Sequence, residues 1–261
     1  MARRLTVDVD GDGLPERYGH DFWSPALQNT PMLFGGDWFD DVGYKTGFPE
    51  RSRAADPETV EALEFLADAV HTYKVMPTSA DVSRLGGSLF ANGKAAMFYG
   101  NNHNFRGLID AGLRFGVTAV PRPSADAPPR TIAFPDAYAM FAGQANAGAA
   151  FDFLEYLVSY EGAKLTFPAL LSPRPRRSQA DIWIDFARET LGLGERDIAA
   201  FLGSLDYVRM SPSFSIVDWG RYNQLINPSA QRILQGIAPA QTELEDLDRR
   251  LNSLIKEALG H

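Results

Sequence analysis

The 261-residue sequence predicts an α/β fold in which helices and short strands alternate along the chain. Apolar residues recur at helical spacing in four segments, and short apolar runs typical of strands lie between them. No uninterrupted apolar run reaches the length of a membrane span. A chain of this length can bury a substantial core, either as one large domain or as two smaller ones.

Helix signals are clearest in four places. The first predicted helix begins at Asp56, a favourable N-cap followed by Pro57, and ends near residue 74. The second covers 147–167, the third about 222–235 and the fourth about 239–259. The fourth is predicted to be an amphipathic surface helix because its apolar residues follow a 3–4 pattern: Leu244, Leu247, Leu251, Leu254 and Ala258.

Strand candidates are short, and we predict them at 95–100, 114–121 and 137–143. The segment 121–130, PRPSADAPPR, is too rich in proline for regular structure and is predicted to be a surface connection.

The composition argues against several classes of protein. The net charge is −8 and the one dense basic patch is RPRR at 174–177, so we predict no nucleic-acid partner. Cysteine is absent, which excludes disulfides, thiolate chemistry and zinc sites built on sulfur.

Catalytic motifs are also missing, and we predict that the protein is not an enzyme. The four histidines have no metal-ligand spacing, and no GxSxG elbow occurs. The segment GGSLFANGKAA only approaches a phosphate loop, because its spacing is one residue too long and Ala95 stands where Ser or Thr is needed. A hydrolase or lyase that acts on glycans through a carboxylate pair stays open as an alternative.

Aromatic residues stand beside Asp, Asn and Gly at several turns, as in HDFWSP, YGNNHNF and VDWGRY. A pyranose ring stacks its C–H face on an aromatic ring, and its hydroxyls bind carboxylates and amides. This pattern favours a saccharide ligand, although each Trp also fits a role in the core.

Several segments, taken in order, resemble one family. They are RRLTVDVDGDGLPERYG, LFGGDWFDD, DPETVEALEFLADAVHTYKVMP, LFANGKAAMFYGNNHNF, GVTAVPRP, AAFDFLEYLVSYEGAKL and QRILQGIAPAQTELEDLDRRLNSLIK. The most specific is F-x-x-G-K-A-A-M at 90–97. Together they span nearly the whole chain, which resembles the extracellular solute-binding proteins of ABC sugar importers (family 1 type).

The resemblance implies an α/β periplasmic-binding-protein-like (type II) fold with two lobes that close around a solute by hinge bending. It further implies that most of the N-terminal lobe is lacking. Residues 1–135 are then the first part of the second lobe, 136–181 return to the first lobe, and 182–261 complete the second.

The family also implies partners and a location. These are a small-molecule solute, the membrane subunits of an ABC transporter, and a place outside the cytoplasm, either periplasmic or as a cell-surface lipoprotein. The N-terminal segment itself has two arginines without an apolar stretch and does not predict a signal peptide. The apolar segment at 137–160 would then lack the rest of the first lobe that covers it. This predicts a missing covering segment, a swapped dimer or self-association. An interaction domain that binds no small ligand therefore also stays open.

Seven residues are the predicted ligand-binding set: Phe22, Trp23, Trp219 and Tyr222 as a stacking surface, and Asn101, His103 and Asp136 as polar edges. Two of them depart from the family pattern. His103 stands at or near a position where the family often has tryptophan, and Pro135 and Asp136 replace a glycine pair. The identity of the sugar therefore does not follow from relatives.

The N-terminal stretch VDVDGDGLPERYG matches part of a calcium-binding loop. Asp8, Asp10, Asp12 and Glu16 occupy positions 1, 3, 5 and 9, and the carbonyl of Leu14 falls at position 7. Position 12, which normally holds a closing glutamate, is Gly19. The pattern predicts either a structural calcium site or a plain Asp/Gly turn, and no other cofactor is expected.

Overall fold

The computed structural model describes residues 1–21, 25–174 and 176–260. It divides into two compact units, each with a hydrophobic core of its own. The large unit comprises 1–99, 120–134 and 207–261, and the small unit comprises 100–119 and 135–206. These units are defined by contacts within the chain, so the assignment of residues to the lobes of a receptor stays a prediction.

The large unit is built from helices and one pair of strands. Its helices are α1 Ala2–Leu5, α2 Pro25–Phe34, α3 Asp41–Thr46, α4 Pro57–His71 and α5 Ser79–Leu85, followed after the small unit by α11 Pro212–Ser215, α12 Trp219–Leu234 and α13 Ala240–Leu259. The strands are β1 Thr131–Ala133 and β2 Val208–Met210, which pair in parallel with Thr131 opposite Val208.

The core of the large unit lies where α4, α12 and α13 pack together. The predicted fourth helix is confirmed as α13, whose buried stripe consists of Ala240, Leu244, Leu247, Leu251 and Ile255. Leu254 is only half-buried and Ala258 is exposed, because the stripe turns towards Ile255 in the last turns. The predicted first and third helices are confirmed as α4 and α12.

The small unit consists of helices and irregular segments. Its helices are α6 Asn104–Asp110, α7 Ala147–Leu157, α8 Tyr160–Leu170, α9 Ala180–Glu189 and α10 Glu195–Gly203, with a short 3-10 helix at Arg177–Gln179. Its core surrounds Trp183, which is fully buried and stacks on Phe201 with 4.5 Å between ring centroids.

The single helix predicted at 147–167 is wrong, because the structure has α7 and α8 with a break between them. Ser159 caps α8 by accepting a hydrogen bond from the Gly162 N–H at 3.2 Å. A Cβ on Gly162 would lie 2.0 Å from the Tyr156 carbonyl oxygen, so only glycine permits this close passage. Ser159 and Gly162 therefore break the predicted helix in two, although the apolar pattern of the sequence runs on through both halves.

The three predicted strands at 95–100, 114–121 and 137–143 are also wrong for the described chain. Ala95 makes one isolated bridge with Tyr18, and the other two segments have no strand partner among the described residues. A segment rich in strand-forming residues becomes a β-strand only where a second strand lies beside it and supplies hydrogen-bond partners for its backbone. The predicted surface connection at 121–130 is confirmed as mostly exposed and irregular.

Candidate functional site

The seven predicted ligand-binding residues fall into three groups. Phe22 and Trp23 lie outside the described residues. Asn101, His103 and Asp136 belong to the small unit, whereas Trp219 and Tyr222 belong to the large unit. The structure therefore gives the surroundings of each residue within its own unit. A ligand site that combines residues of both units stays a prediction.

Asn101 and His103 lie in a tight polar turn that leads into α6. The Asn101 side-chain oxygen accepts the His103 N–H at 3.0 Å, and the Asn104 side-chain oxygen accepts the Asn101 N–H at 2.8 Å. The turn is held to the end of α8, because the Asn102 amide donates to the Ser172 hydroxyl at 2.6 Å. The His103 side chain is exposed at the start of α6 and is free to meet a polar ligand.

Asp136 is exposed just after the point where the chain enters the small unit at Pro135. Its carboxylate makes no hydrogen bond or ion pair with any described residue. An exposed carboxylate without a partner can accept hydrogen bonds from ligand hydroxyls.

Trp219 and Tyr222 both lie on α12, but they differ in exposure. Trp219 is half-buried and meets the Phe39 ring edge-on with 6.3 Å between centroids, so part of its surface stays open. The Tyr222 ring is only 4% exposed and packs on Phe39 at 4.9 Å. In this structure Tyr222 is a core residue, and its contact with a ligand stays a prediction.

The Asp-rich loop joins Val7 to Arg17, which form an isolated antiparallel bridge. One carboxylate oxygen from each of Asp8, Asp10 and Glu16 lies within 4.8 Å of the others. The two Asp8 oxygens also accept the backbone N–H groups of Gly11 and Gly13, at 2.8 and 3.0 Å.

Two other predicted members of the calcium set differ from this group. The Asp12 side chain accepts the Leu14 N–H at 2.7 Å and stays outside the cluster of three carboxylates. Leu14 is exposed. Oxygen ligands of this kind suit Ca²⁺, and the same hydrogen bonds are typical of an Asx turn, so both readings of the loop fit its geometry.

A buried charged cluster in the large unit was missed at the sequence level. Asp37 is fully buried, and its carboxylate lies 2.8 Å from the Arg209 guanidinium. The carboxylate accepts hydrogen bonds from the Trp38 N–H at 2.7 Å and from the Tyr44 hydroxyl. The Arg209 guanidinium in turn lies over the Tyr44 ring, 4.4 Å from its centroid.

Burial raises the pKa of the Asp37 carboxyl above its usual range, and Arg209, Tyr44 and the backbone N–H groups offset part of this rise. The cluster ties β2 to the loop before α3. No signal in the sequence pairs Asp37 with a residue so distant along the chain.

Two concavities lie away from the predicted residues. One, in the large unit, has a volume of about 200 Å³ and is lined by Val70, His71, Thr78 and Leu234 among others. The other, in the small unit, is an open groove beside Gly116, Val117 and Arg196. The first is smaller than the roughly 300–1,000 Å³ of most ligand pockets, and neither contains a predicted ligand-binding residue.

Comparison with known proteins adds the family context. Residues 9–183, about two thirds of the chain, match the family model described as bacterial extracellular solute-binding protein. No curated protein sequence matches the chain. Among the described residues, no helix is both long and apolar enough to cross a membrane.

Several solved structures resemble the chain over almost its full length. An ABC substrate-binding protein from Listeria monocytogenes in complex with cycloalternan is 20% identical, with a TM-score of 0.72 over 99% of this chain and 62% of its own. UspC from M. tuberculosis is 20% identical, with a TM-score of 0.71 over 97% and 64%.

A third similar structure is the maltose/maltodextrin-binding domain MalE from Bdellovibrio bacteriovorus bound to maltotriose. It is 16% identical, with a TM-score of 0.70 over 100% of this chain and 64% of its own. The chain thus has the α/β periplasmic-binding-protein-like fold and spans about three fifths of the length of these relatives.

Proposed function

Because this chain belongs to the bacterial extracellular solute-binding protein family, we propose that it is the solute-binding component of an ABC importer and that its solute is a saccharide. The observation that carries the proposal is the fold shared with substrate-binding proteins solved with cycloalternan and maltotriose. The proposed location is outside the cytoplasm, and the proposed partners are the transporter's membrane subunits.

The proposed chemistry is recognition without bond cleavage. The open part of the Trp219 ring offers a flat apolar surface, and Phe22 and Trp23 extend this surface in the proposal. Asn101, His103 and Asp136 offer an amide, an imidazole and a carboxylate, which bind hydroxyl groups without reacting with them. Since the chain spans about three fifths of its solved relatives, we assign the remaining ligand contacts to the part of a two-lobed receptor that it does not represent.

Replacing Trp219 with alanine is expected to raise the dissociation constant for maltotriose by roughly 5- to 150-fold, because a stacking surface worth about 1–3 kcal/mol is lost. Isothermal titration of the protein with maltotriose measures this change. Phe65→Ala is the matched control, since Phe65 is an aromatic residue of the large unit that is 51% exposed and lies outside the predicted set.

The expected pattern is weaker binding for Trp219→Ala and unchanged binding for Phe65→Ala, with both variants folded by circular dichroism. Equal affinity in wild type and Trp219→Ala would remove Trp219 from the site. If wild type bound none of a panel of malto-oligosaccharides, the saccharide proposal for this chain would fail. Release of reducing sugar that Asp136→Asn abolishes would instead favour the glycan-active alternative.

We propose that the Asp-rich loop holds a structural calcium ion through Asp8, Asp10 and Glu16, with Asp12 and the Leu14 carbonyl completing the set on binding. If the dissociation constant is about 0.1 mM, Ca²⁺ at about 10 mM stabilises the large unit by about 2.7 kcal/mol. Such a gain raises the melting temperature by several degrees.

Thermal unfolding with Ca²⁺, with Mg²⁺ and with EDTA measures this effect. Only Ca²⁺ is expected to raise the melting temperature, because its coordination tolerates irregular oxygen cages better than that of Mg²⁺. Asp10→Asn should abolish the rise. Identical melting curves in Ca²⁺ and EDTA would assign the loop to the Asp/Gly turn.

A further inference from the structure

Asp218, the residue directly before Trp219, has an unusual backbone conformation. Its φ is 56° and its ψ is 28°, which lie in the left-handed region that residues other than glycine rarely adopt. Among the described residues, Lys74 and Leu171 are the only other non-glycine residues with a positive φ. A conformation of this kind is strained, and it persists only where the surrounding structure imposes it.

Asp218 is also the N-cap of α12, but it does not act as a normal cap. An N-cap residue usually has an extended backbone, and an aspartate there accepts a backbone N–H of the first turn through its side chain. Asp218 has neither feature, because its backbone is left-handed and its exposed side chain makes no capping hydrogen bond. Proteins break two local rules at one residue mainly where function requires it.

Contacts on both sides of Asp218 impose its conformation. Before it, the Val217 N–H donates to the carbonyl oxygen of Gly47 at 2.8 Å, at the end of α3. After it, the Trp219 ring meets the Phe39 ring edge-on, with 6.3 Å between centroids. The chain has to turn sharply between these two contacts, and the left-handed conformation of Asp218 provides the turn.

Phe39 is itself held in place by the buried charged cluster. The Asp37 carboxylate accepts the backbone N–H groups of Trp38 and Phe39, and it pairs with the Arg209 guanidinium at 2.8 Å. The Phe39 side chain is fully buried. One edge of the Trp219 ring therefore rests on a well-packed support, while part of its surface stays open.

We infer that Asp218 is a positioning residue for the solute site, and that its left-handed backbone, not its carboxylate, directs the open side of the Trp219 ring towards the solute. The inference rests on the proposed function, in which Trp219 stacks on a saccharide. Stacking requires the ring to be held in one orientation, since the sugar must lie flat against it. All the contacts that fix this orientation lie within the large unit.

Three substitutions separate the backbone of Asp218 from its charge. Asp218→Val disfavours the left-handed conformation because valine is β-branched, so the Trp219 ring should leave its position. Asp218→Asn removes the charge but tolerates the conformation. Lys74→Val is the matched control, because Lys74 is an exposed residue of the large unit with a φ of 49° and lies outside the predicted ligand-binding set.

The indole N–H resonance of Trp219 in NMR spectra reports the surroundings of the ring without any solute. Its assignment follows from its disappearance in Trp219→Phe. We expect this resonance to shift in Asp218→Val and to keep its wild-type position in Asp218→Asn and Lys74→Val. An unshifted resonance in Asp218→Val, or an equal shift in Asp218→Asn, would overturn the inference.

Isothermal titration with maltotriose gives the second measurement. Asp218→Val is expected to raise the dissociation constant by roughly fivefold or more, whereas Asp218→Asn and Lys74→Val should bind like wild type. In a Trp219→Ala background, Asp218→Val should cause no further loss, because its effect passes through the ring. A lower melting temperature of Asp218→Val without any loss of affinity would assign Asp218 to stability alone and overturn the inference.

Failure of the proposed function gives a different result. In that case wild type would bind no malto-oligosaccharide, or Trp219→Ala would bind as tightly as wild type. The indole resonance would still decide whether Asp218 positions the Trp219 ring, because that measurement needs no solute.

Discussion

Replacing Asp37 with alanine is expected to lower the free energy of unfolding of the large unit by about 3–5 kcal/mol. The Asp37 carboxylate is fully buried and accepts hydrogen bonds from the Trp38 N–H and the Tyr44 hydroxyl. Its loss leaves both donors without an acceptor and the Arg209 guanidinium without its buried partner, at 2.8 Å in the wild type. Urea unfolding followed by circular dichroism measures the change.

Asp41→Ala is the matched control, because Asp41 also pairs with Arg209, at 3.1 Å, but its side chain is 74% exposed. An exposed pair of this kind contributes about 0–1 kcal/mol, so this variant should unfold close to wild type. Equal losses in Asp37→Ala and Asp41→Ala would contradict the role of burial.

The pH dependence of the same cluster has a definite sign. Burial raises the pKa of Asp37 in the folded state, so the folded protein holds this proton at pH values where the unfolded chain has lost it. The contribution of Asp37 to stability is therefore greatest below the unfolded pKa of about 3.9 and falls as pH rises to the higher folded pKa. Asp37→Asn removes this titration, so the free energy of unfolding of wild type minus that of Asp37→Asn should fall as pH rises from about 3.9. A signed difference that rises with pH would contradict the raised pKa.

Replacing Trp183 with alanine is expected to destabilise the small unit by about 3–5 kcal/mol, the usual cost of removing a buried tryptophan. Trp183 is fully buried, stacks on Phe201 with an angle of 8° between the rings, and lies 6.3 Å from the Phe105 ring. Hydrogen exchange of the amides in α9 and α10 measures the loss, because opening of the small unit exposes these helices.

Trp183→Phe separates ring packing from hydrogen bonding. Within the described part of the chain, the Trp183 indole nitrogen is buried without a hydrogen-bond partner. Phenylalanine keeps an aromatic ring beside Phe201 and removes that unsatisfied N–H, so it should cost less than half as much as alanine. If the two variants lost the same stability, ring packing would not be what holds this core together.

Local patterns predicted the helices well and the strands poorly. The start of α4 depends on Asp56 and Pro57, and the buried side of α13 depends on leucines three and four residues apart; both signals lie within a few turns of chain. The predicted strand at 137–143 depends instead on a second strand beside it, and the described residues provide none. The break between α7 and α8 depends on how closely Gly162 passes Tyr156, which an apolar pattern does not contain.

The predicted site shows the same division. The sequence predicted Asp8, Asp10 and Glu16 as members of one calcium site because they lie within nine residues of each other. The structure places their carboxylates together. For Trp219 and Tyr222 the sequence offered two similar aromatic residues on one helix. Packing of α12 against Phe39 leaves part of the first ring open and buries the second.

The sequence by itself determined the family, the α/β fold class and most helices. The motifs, helix caps and helical periodicity that indicate them depend only on residues close together in the chain. It also located the apolar stretch that the structure leaves exposed at 137–156. Only the tertiary structure decided that Asp37 pairs with Arg209, that Tyr222 is buried, and that the predicted strands find no partner strand among the described residues. These outcomes depend on contacts between residues far apart in the chain, and such contacts exist only once the packed units bring them together.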